Sequence, residues 1–249
     1  MKMLRLSIVA AVILALAVSA CSAATYGTVK ATIGQGYGIT MATMIQPYDS
    51  SWWSGYTGSF NLTYSNYNGV WQQNPLSTIA FCTEVETVNW GGTYLYTIKD
   101  AKDVPVPDGP ADTNKGPMGA LKAAYVSELW GRFINQVTDN VSGAAFQIAL
   151  YEIVFEDLYV QNPPGWSFST GKFQARNDGG DSAQAISLAT SWLSQINGQG
   201  AKAGVVGLTA NGVQDLIVGC PPVIPEASTV MLALMGLGSV AGFRRLRRG

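Results

Sequence analysis

Ala144-Ala145-Phe146-Gln147-Ile148-Ala149-Leu150-Tyr151-Glu152-Ile153-Val154-Phe155-Glu156 is the stretch on which the fold turns. Its length and near-continuous apolar character predict a helix that is hydrophobic almost all round, and such a helix is buried. Gln147 is the anomaly, expected in the helix's first turn. A buried carboxamide costs on the order of 1–3 kcal/mol unless its donors and acceptor find partners. Bonding to a neighbouring strand or a helix end is the plain explanation.

On the N-terminal side the pattern is that of strands. Tyr26–Ile33 and Gly38–Met44 alternate and are rich in Thr, Val and Ile, as does Gly58–Tyr64, which the turn residues Asn66-Tyr67-Asn68-Gly69 close. Ser77–Val88 follows as a strand that sets Cys82, Glu84 and Glu86 on one face, and another strand is expected near Thr93–Ile98. Trp52, Trp53 and Trp71 suit either sugar stacking or, more commonly, a sheet face. Lys102–Pro117 carries four prolines and reads as a loop. The period then changes to about 3.6 residues: Met118–Val137 is a helix, the Gln147 helix follows the breaker Asp139–Gly143, and a third helix spans Asp181–Ile196. Trp166–Phe173 is expected to form a hairpin arm, and Val213–Val218 a last strand after the turn Asn211-Gly212. The expected fold is α+β, a β-sandwich or barrel-like sheet over 25–219 with a three-helix insert at 118–197.

The two ends read as targeting segments. Residues 1–20 have Lys2 and Arg5, an apolar run and small closing residues, the form of a signal peptide. Val18-Ser19-Ala20-Cys21 also fits a lipoprotein box, but ordinary cleavage is preferred because the other end carries an anchor. There a linker at 220–229 contains Ile224-Pro225-Glu226-Ala227. An apolar C-terminal anchor helix is expected at 230–249, ending in Arg244, Arg245, Arg247 and Arg248. This arrangement resembles the PEP-CTERM sorting signal of exported bacterial proteins, with Ala227 in place of the second proline. The resemblance implies transient residence in the inner membrane, processing by an exosortase-type enzyme, and delivery to the cell surface or extracellular matrix. About 14 helical residues rise about 21 Å, short of a hydrocarbon core about 30 Å thick, which suits a transient anchor.

Between the targeting segments nine basic residues face fifteen acidic ones, a net charge of about −6 that argues against nucleic acid as a partner. The chain has no histidine, which excludes Ser-His-Asp and Cys-His catalysis and removes the commonest metal ligand. No metal or cofactor is expected. Glu152 and Glu156, with Glu84 or Glu86 opposite, have the spacing to pair across a sugar or a metal, though polar-face or capping roles suit them better.

Phe81-Cys82 on a strand and Gln147-Ile148-Ala149-Leu150-Tyr151 on a helix resemble the motifs of bacterial surface thioester domains, an aromatic-Cys pair and a Gln-x-Ala-aliphatic-aromatic run. Leu150-Tyr151 stands where Ile-Trp is usual. The resemblance implies a β-fold joined to a helical part, and a Cys82 thiolate that attacks the Gln147 carboxamide, expels ammonia and leaves a buried thioester. A helix N-terminus behind Gln147 would favour the thiolate. The rival use of Cys82 is a disulfide with Cys220, the other cysteine left in an oxidising compartment once Cys21 is set aside. The expectation is therefore a non-enzymatic exported surface or matrix-associated structural or binding protein, with exopolysaccharide or surface amines as partners. A covalent thioester adhesin is the first alternative, and a carbohydrate-binding or carbohydrate-active protein the second.

Overall fold

The computed structural model describes residues 27–45, 51–67, 77–84, 90–106, 116–156, 158 and 165–220, all within the unit Ala20–Cys220. The signal segment, Cys21, Trp71, Glu86, Pro225, Glu226, the anchor at 230–249 and its arginines lie outside the described residues. Among the described residues no helix is long and apolar enough to cross a membrane.

β1 (Thr28–Ile45) and β2 (Trp53–Tyr67) form a long antiparallel pair. β1 is continuous where two strands were expected; the register shifts between Gln35 and Gly38 instead of breaking. β3 (Ser77–Cys82), β4 (Thr93–Asp100), β7 (Phe173–Ala175), β8 (Val205–Ala210) and β9 (Val213–Gly219) complete one seven-stranded antiparallel sheet, in the order β2-β3-β9-β8-β4-β1-β7. β1 also pairs with β2. This is one large antiparallel sheet in a mixed α+β fold, and it makes no clear barrel. β5 (Pro105–Val106) and β6 (Gly116–Pro117) pair separately inside the expected loop. The closing strand β9 is where the alternation placed it. Its hairpin partner β8 went unassigned in the sequence, although Asn211-Gly212, with Gly212 at φ +71, is the turn that such a hairpin uses. The expected arm contributes β7, which pairs with the end of β1.

Three helices are described: α1 (Gly119–Phe133), α2 (Asn140–Phe155) and α3 (Gly180–Leu193). α2 opens at Asn140 rather than Ala144, because the supposed breaker is a reciprocal cap. The Asp139 carboxylate accepts from the Ser142 N–H at 2.8 Å, and the Ser142 hydroxyl accepts from the Asp139 N–H at 3.0 Å. Gln147 consequently sits about two turns inside the helix, beyond the reach of its N-terminal dipole. Every residue of α2 from Ser142 to Phe155 is buried. The helix packs on β1 and β2 and against α1 and α3. Phe146 joins these layers: its ring stacks on Phe81 at 4.4 Å and meets Trp130 and Trp192 edge-on at 5.5 and 6.1 Å.

The start of α2 touches the irregular turn of β1 backbone to backbone. A Cβ at Gly143 would overlap the Tyr37 carbonyl, and the Gly38 N–H donates to the Asn140 side chain at 3.3 Å. Helix propensity favours alanine over glycine by about 1 kcal/mol, but overlap with fixed backbone costs more. Gly143→Ala is therefore expected to destabilise the domain by about 2 kcal/mol or more. Denaturant unfolding would show this as a lower midpoint, where an exposed helical glycine would give a higher one.

Candidate functional site

β2 runs beside β3 only as far as the Phe60–Ala80 pair, whereas β9 continues on the other side to the Cys82–Leu216 pair. Cys82 is thus left without a strand partner on one edge, and α2 supplies one. The Cys82 N–H donates to Gln147 Oε1 at 2.9 Å, and Gln147 Nε2 donates to the Cys82 carbonyl at 3.0 Å. The carboxamide acts as a rung of β-ladder. One helical turn on, the Tyr151 hydroxyl donates to the Glu84 carbonyl at 3.1 Å, and Gln214 Nε2 donates to the same oxygen. The bend after β3 is held from the β9 side too, by Thr83 N–H on the Asp215 carbonyl at 3.0 Å and Asp215 N–H on Glu84 Oε1 at 2.8 Å.

Cys82 is a free, buried thiol, and Cys220 is disulfide-bonded elsewhere. The Cys82–Cys220 bridge is therefore not formed, and the register explains it. Cys82 lies opposite Leu216, and four residues of strand set Cys220 about 13 Å further along, beyond the 4.4–6.8 Å of a disulfide's Cα atoms. A carboxamide paired with a strand's N–H and C=O lies near the plane of the sheet, while the side chain of the same residue leaves that plane. The Gln147 carboxamide is thus held beside the main chain of the residue that bears the thiol. Burial pushes the thiol well above its ordinary range; the Tyr151 hydroxyl works against this, and the Glu84 charge adds to it. The arrangement provides a nucleophile and an electrophile polarised by the Cys82 N–H, both buried.

The other acids are committed to backbone. Glu152 Oε1 accepts from Ser167 N–H at 2.8 Å and Glu156 Oε1 from Phe173 N–H at 3.0 Å, so the pair ties the 165–175 arm to α2. Glu84 is engaged with Asp215, not opposed to them. Among the described residues no cluster of three or more acidic, Cys or His groups suits a metal. Trp53 packs against the core, and Trp52 is part-exposed beneath the Arg176 guanidinium at 5.8 Å. Sequence reasoning missed Gln214, Asp215 and Tyr96. Two adjacent polar residues inside the apolar strand Val213–Val218 were the available signal for the first two; Tyr96 gave none.

Residues 223–248 match the family model described as the PEP-CTERM protein-sorting motif. The chain carries a PEP-CTERM sorting signal. It is therefore an exported, cell-surface-directed protein, of the kind that exosortase-type enzymes process. None of the curated proteins compared with it matches. Among solved structures, one crystal form of the pilus-presented adhesin Spy0125 (Cpa) superposes with a TM-score of 0.25 at 11% identity, covering 75% of this chain and 88% of that one. Another form gives 0.25 at 13% identity, covering 75% and 64%. Superpositions this loose carry no argument about this PEP-CTERM protein.

Glu152 supplies a test of the arm's attachment. Burial raises its carboxyl to about 9, the Ser167 hydrogen bond opposes this, and Glu156 adds to it; its Oε2 has no partner. A carboxyl raised on folding contributes stability that is complete below the unfolded value near 4.5 and is lost as pH rises toward 9. Glu152→Gln should flatten that decline and stabilise the domain near pH 7 by roughly 2–3 kcal/mol. Melting temperatures taken across this pH range for both proteins would check it.

Proposed function

We propose that the exported body is a non-enzymatic surface module that attaches covalently to amine-bearing targets through a Cys82–Gln147 thioester. The observation that supports this reading is the reciprocal hydrogen bonding of the Gln147 carboxamide to the residue that bears the buried free thiol. In formation, the Cys82 Sγ–H bond breaks and Sγ bonds to the Gln147 side-chain carbon. The carbon–Nε2 bond then breaks, and Nε2 leaves as ammonia carrying the thiol proton. In attachment, a primary amine bonds to the same carbon, sulfur departs, and the amine's proton returns to it. The Cys82 N–H stabilises the oxyanion of both tetrahedral intermediates, the task of preorganised backbone donors in acyl transfer. The burial of Cys82 and Gln147 keeps water from the ester.

The expected helix-dipole activation plays no part, since Gln147 lies in mid-helix. A purely structural or binding module is the second reading, favoured by the same two hydrogen bonds taken as a brace. The carbohydrate-active reading has less support, because Glu84, Glu152 and Glu156 all hold backbone amides. Delivery to the surface or matrix would follow a transient stay of the 230–249 segment in the inner membrane.

Intact mass of the mature protein decides between the first two. The thioester predicts a mass lower by one ammonia and no titratable thiol at Cys82. Methylamine should then add once and release that thiol, and Cys82→Ser or Gln147→Met should abolish both effects. Full mass in the wild-type chain, with a free thiol and no methylamine adduct, would leave Gln147 as a brace alone.

A second outcome concerns sorting: removal of 230–249 is expected to release the body unanchored. Recovery of the tail-bearing chain as a stable inner-membrane species in the native host would overturn that.

A further inference from the structure

The sequence holds three cysteines. Cys82 is a free thiol and Cys220 is disulfide-bonded. Within one chain, that leaves Cys21 as the partner of Cys220. The count that set Cys21 aside with the signal segment is thereby reversed, and the register of the sheet supplies an independent check.

β9, β8, β4 and β1 are consecutive neighbours in the sheet. The Ile98 N–H donates to the Gly27 carbonyl at 3.0 Å, and Ile98 stands opposite Leu208, so Gly27 is level with Leu208. At the other side, the Cys220 N–H donates to the Gly204 carbonyl at 2.9 Å, one step past the Val205–Gly219 pair. β1 is antiparallel to β4, with Thr28 on Thr97 and Thr32 on Thr93. Followed backwards, β1 points along β4 toward Asp100 and its partner Val206, the end of the sheet that Cys220 occupies. Three strand spacings of about 4.8 Å and four residue rises of about 3.3 Å set Gly27 about 19 Å from Cys220. Six residues of chain reach about 20 Å, and the Cα atoms of a disulfide add about 4.4–6.8 Å. Cys21, six positions ahead of Gly27, is within that reach. Cys220 packs part-buried against the core, which holds its side of such a bridge in place.

We propose that the mature chain keeps Cys21 and closes it onto Cys220, so that Cys21 is half of a structural disulfide and not an acylated N-terminus. In formation both Sγ–H bonds break and an Sγ–Sγ bond forms. Two electrons and two protons pass to a disulfide-bearing oxidoreductase of the export compartment, which becomes a dithiol. Lipid attachment would need the same sulfur for a thioether. The bridge and the lipoprotein box Val18-Ser19-Ala20-Cys21 therefore exclude each other. The bridge is independent of the Cys82–Gln147 reading, because Cys82 takes no part in it.

Its position has a mechanical consequence. β9 is the last strand of the body, and Pro221-Pro222 opens the linker to the sorting signal directly after Cys220. Load on the tail passes first to β9, which hydrogen bonds to β3 and β8 hold in the sheet. A bridge at Cys220 shares that load with the start of the chain and keeps β9 from peeling away.

The test takes the mature chain from the native host, alkylates it without reduction, and maps its peptides by mass. One linked pair carrying Cys21 and Cys220 is expected, lighter by two hydrogens than the two peptides together, with Cys82 on a separate peptide. Cys220→Ser should remove the pair and lower the melting temperature by on the order of 10 °C. Reductant should lower the wild-type value as far and leave that of the variant unchanged. Diacylglycerol on Cys21, a mature chain that begins beyond Cys21, or Cys220 joined to the Cys220 of a second copy each overturns the proposal. If the Cys220→Ser chain does not fold, the wild-type peptide map decides by itself. The mass of the Gln147 peptide tests the thioester separately, so either reading can fail without the other.

Discussion

The pairing of one side-chain amide with one main-chain residue governs how this domain is assembled. β2 turns away after Ala80, and the chain at Cys82 would otherwise bury a peptide N–H and C=O without partners, at about 1–3 kcal/mol each. Gln147 satisfies both. That match fixes the rotation and the axial position of α2 against the sheet, since a slide of one residue would carry the carboxamide off the strand. Phe146 is then directed into Phe81, Trp130 and Trp192, and Tyr151 onto the bend. An apolar helix buried all round has no amphipathic stripe to orient it. Here a polar residue does the orienting, which matches the use of single buried polar groups to specify register.

The acidic side chains nearby show a consistent arrangement. Glu84, Glu152 and Glu156 each accept a main-chain N–H from a segment distant in sequence. Asp215 caps the Ala210 N–H of its own hairpin at 3.0 Å. Glu128, fully buried in α1, accepts from the Asn197 and Gly198 amides that follow α3. Acidic side chains thus hold loops and bends at several places where the sheet's own ladder stops. Beside Cys82 this has a chemical consequence, because a thiol surrounded by neutral rings and a carboxylate stays protonated. On the thioester reading its nucleophilicity would have to be supplied at the moment of reaction.

What the sequence revealed follows from which interactions are local. Alternation placed β2, β4 and β9, and the 3.6-residue period placed all three helices, because each pattern reflects one face of one element. The closeness of Phe81-Cys82 to Gln147 was legible only through motif resemblance; no periodicity relates residues 65 apart. Two errors have the same origin. Asp139–Gly143 was read as a breaker from composition, although Asp139 and Ser142 stand at the spacing of a reciprocal cap. The Cys82–Cys220 disulfide, the rival use of Cys82, comes from a cysteine count, whereas strand register keeps the two apart. β8 escaped because Val205–Ala210 is short and its pairing with β4 is known only in three dimensions. Tyr96 escaped because an orphaned hydroxyl beside a thiol has no signature in the chain.

The brace and the proposed electrophile use the same atoms, and this bears on how such a site would behave. Expulsion of Nε2 would remove the side-chain donor that meets the Cys82 carbonyl, at a cost of about 1–3 kcal/mol if that buried acceptor found no other partner. The thioester state would therefore be strained by the fold that formed it. Opening by water would place a carboxyl group there, which when ionised has no proton to donate and would face the Cys82 carbonyl oxygen. Opening by a primary amine gives a secondary amide, which in its trans form sets the new substituent on the oxygen's side and turns its remaining N–H away from the Cys82 carbonyl. Neither product restores the rung of ladder that Oε1 and Nε2 make together. The brace belongs to the unreacted carboxamide, so on the thioester reading the resting fold would give up this interaction in order to react.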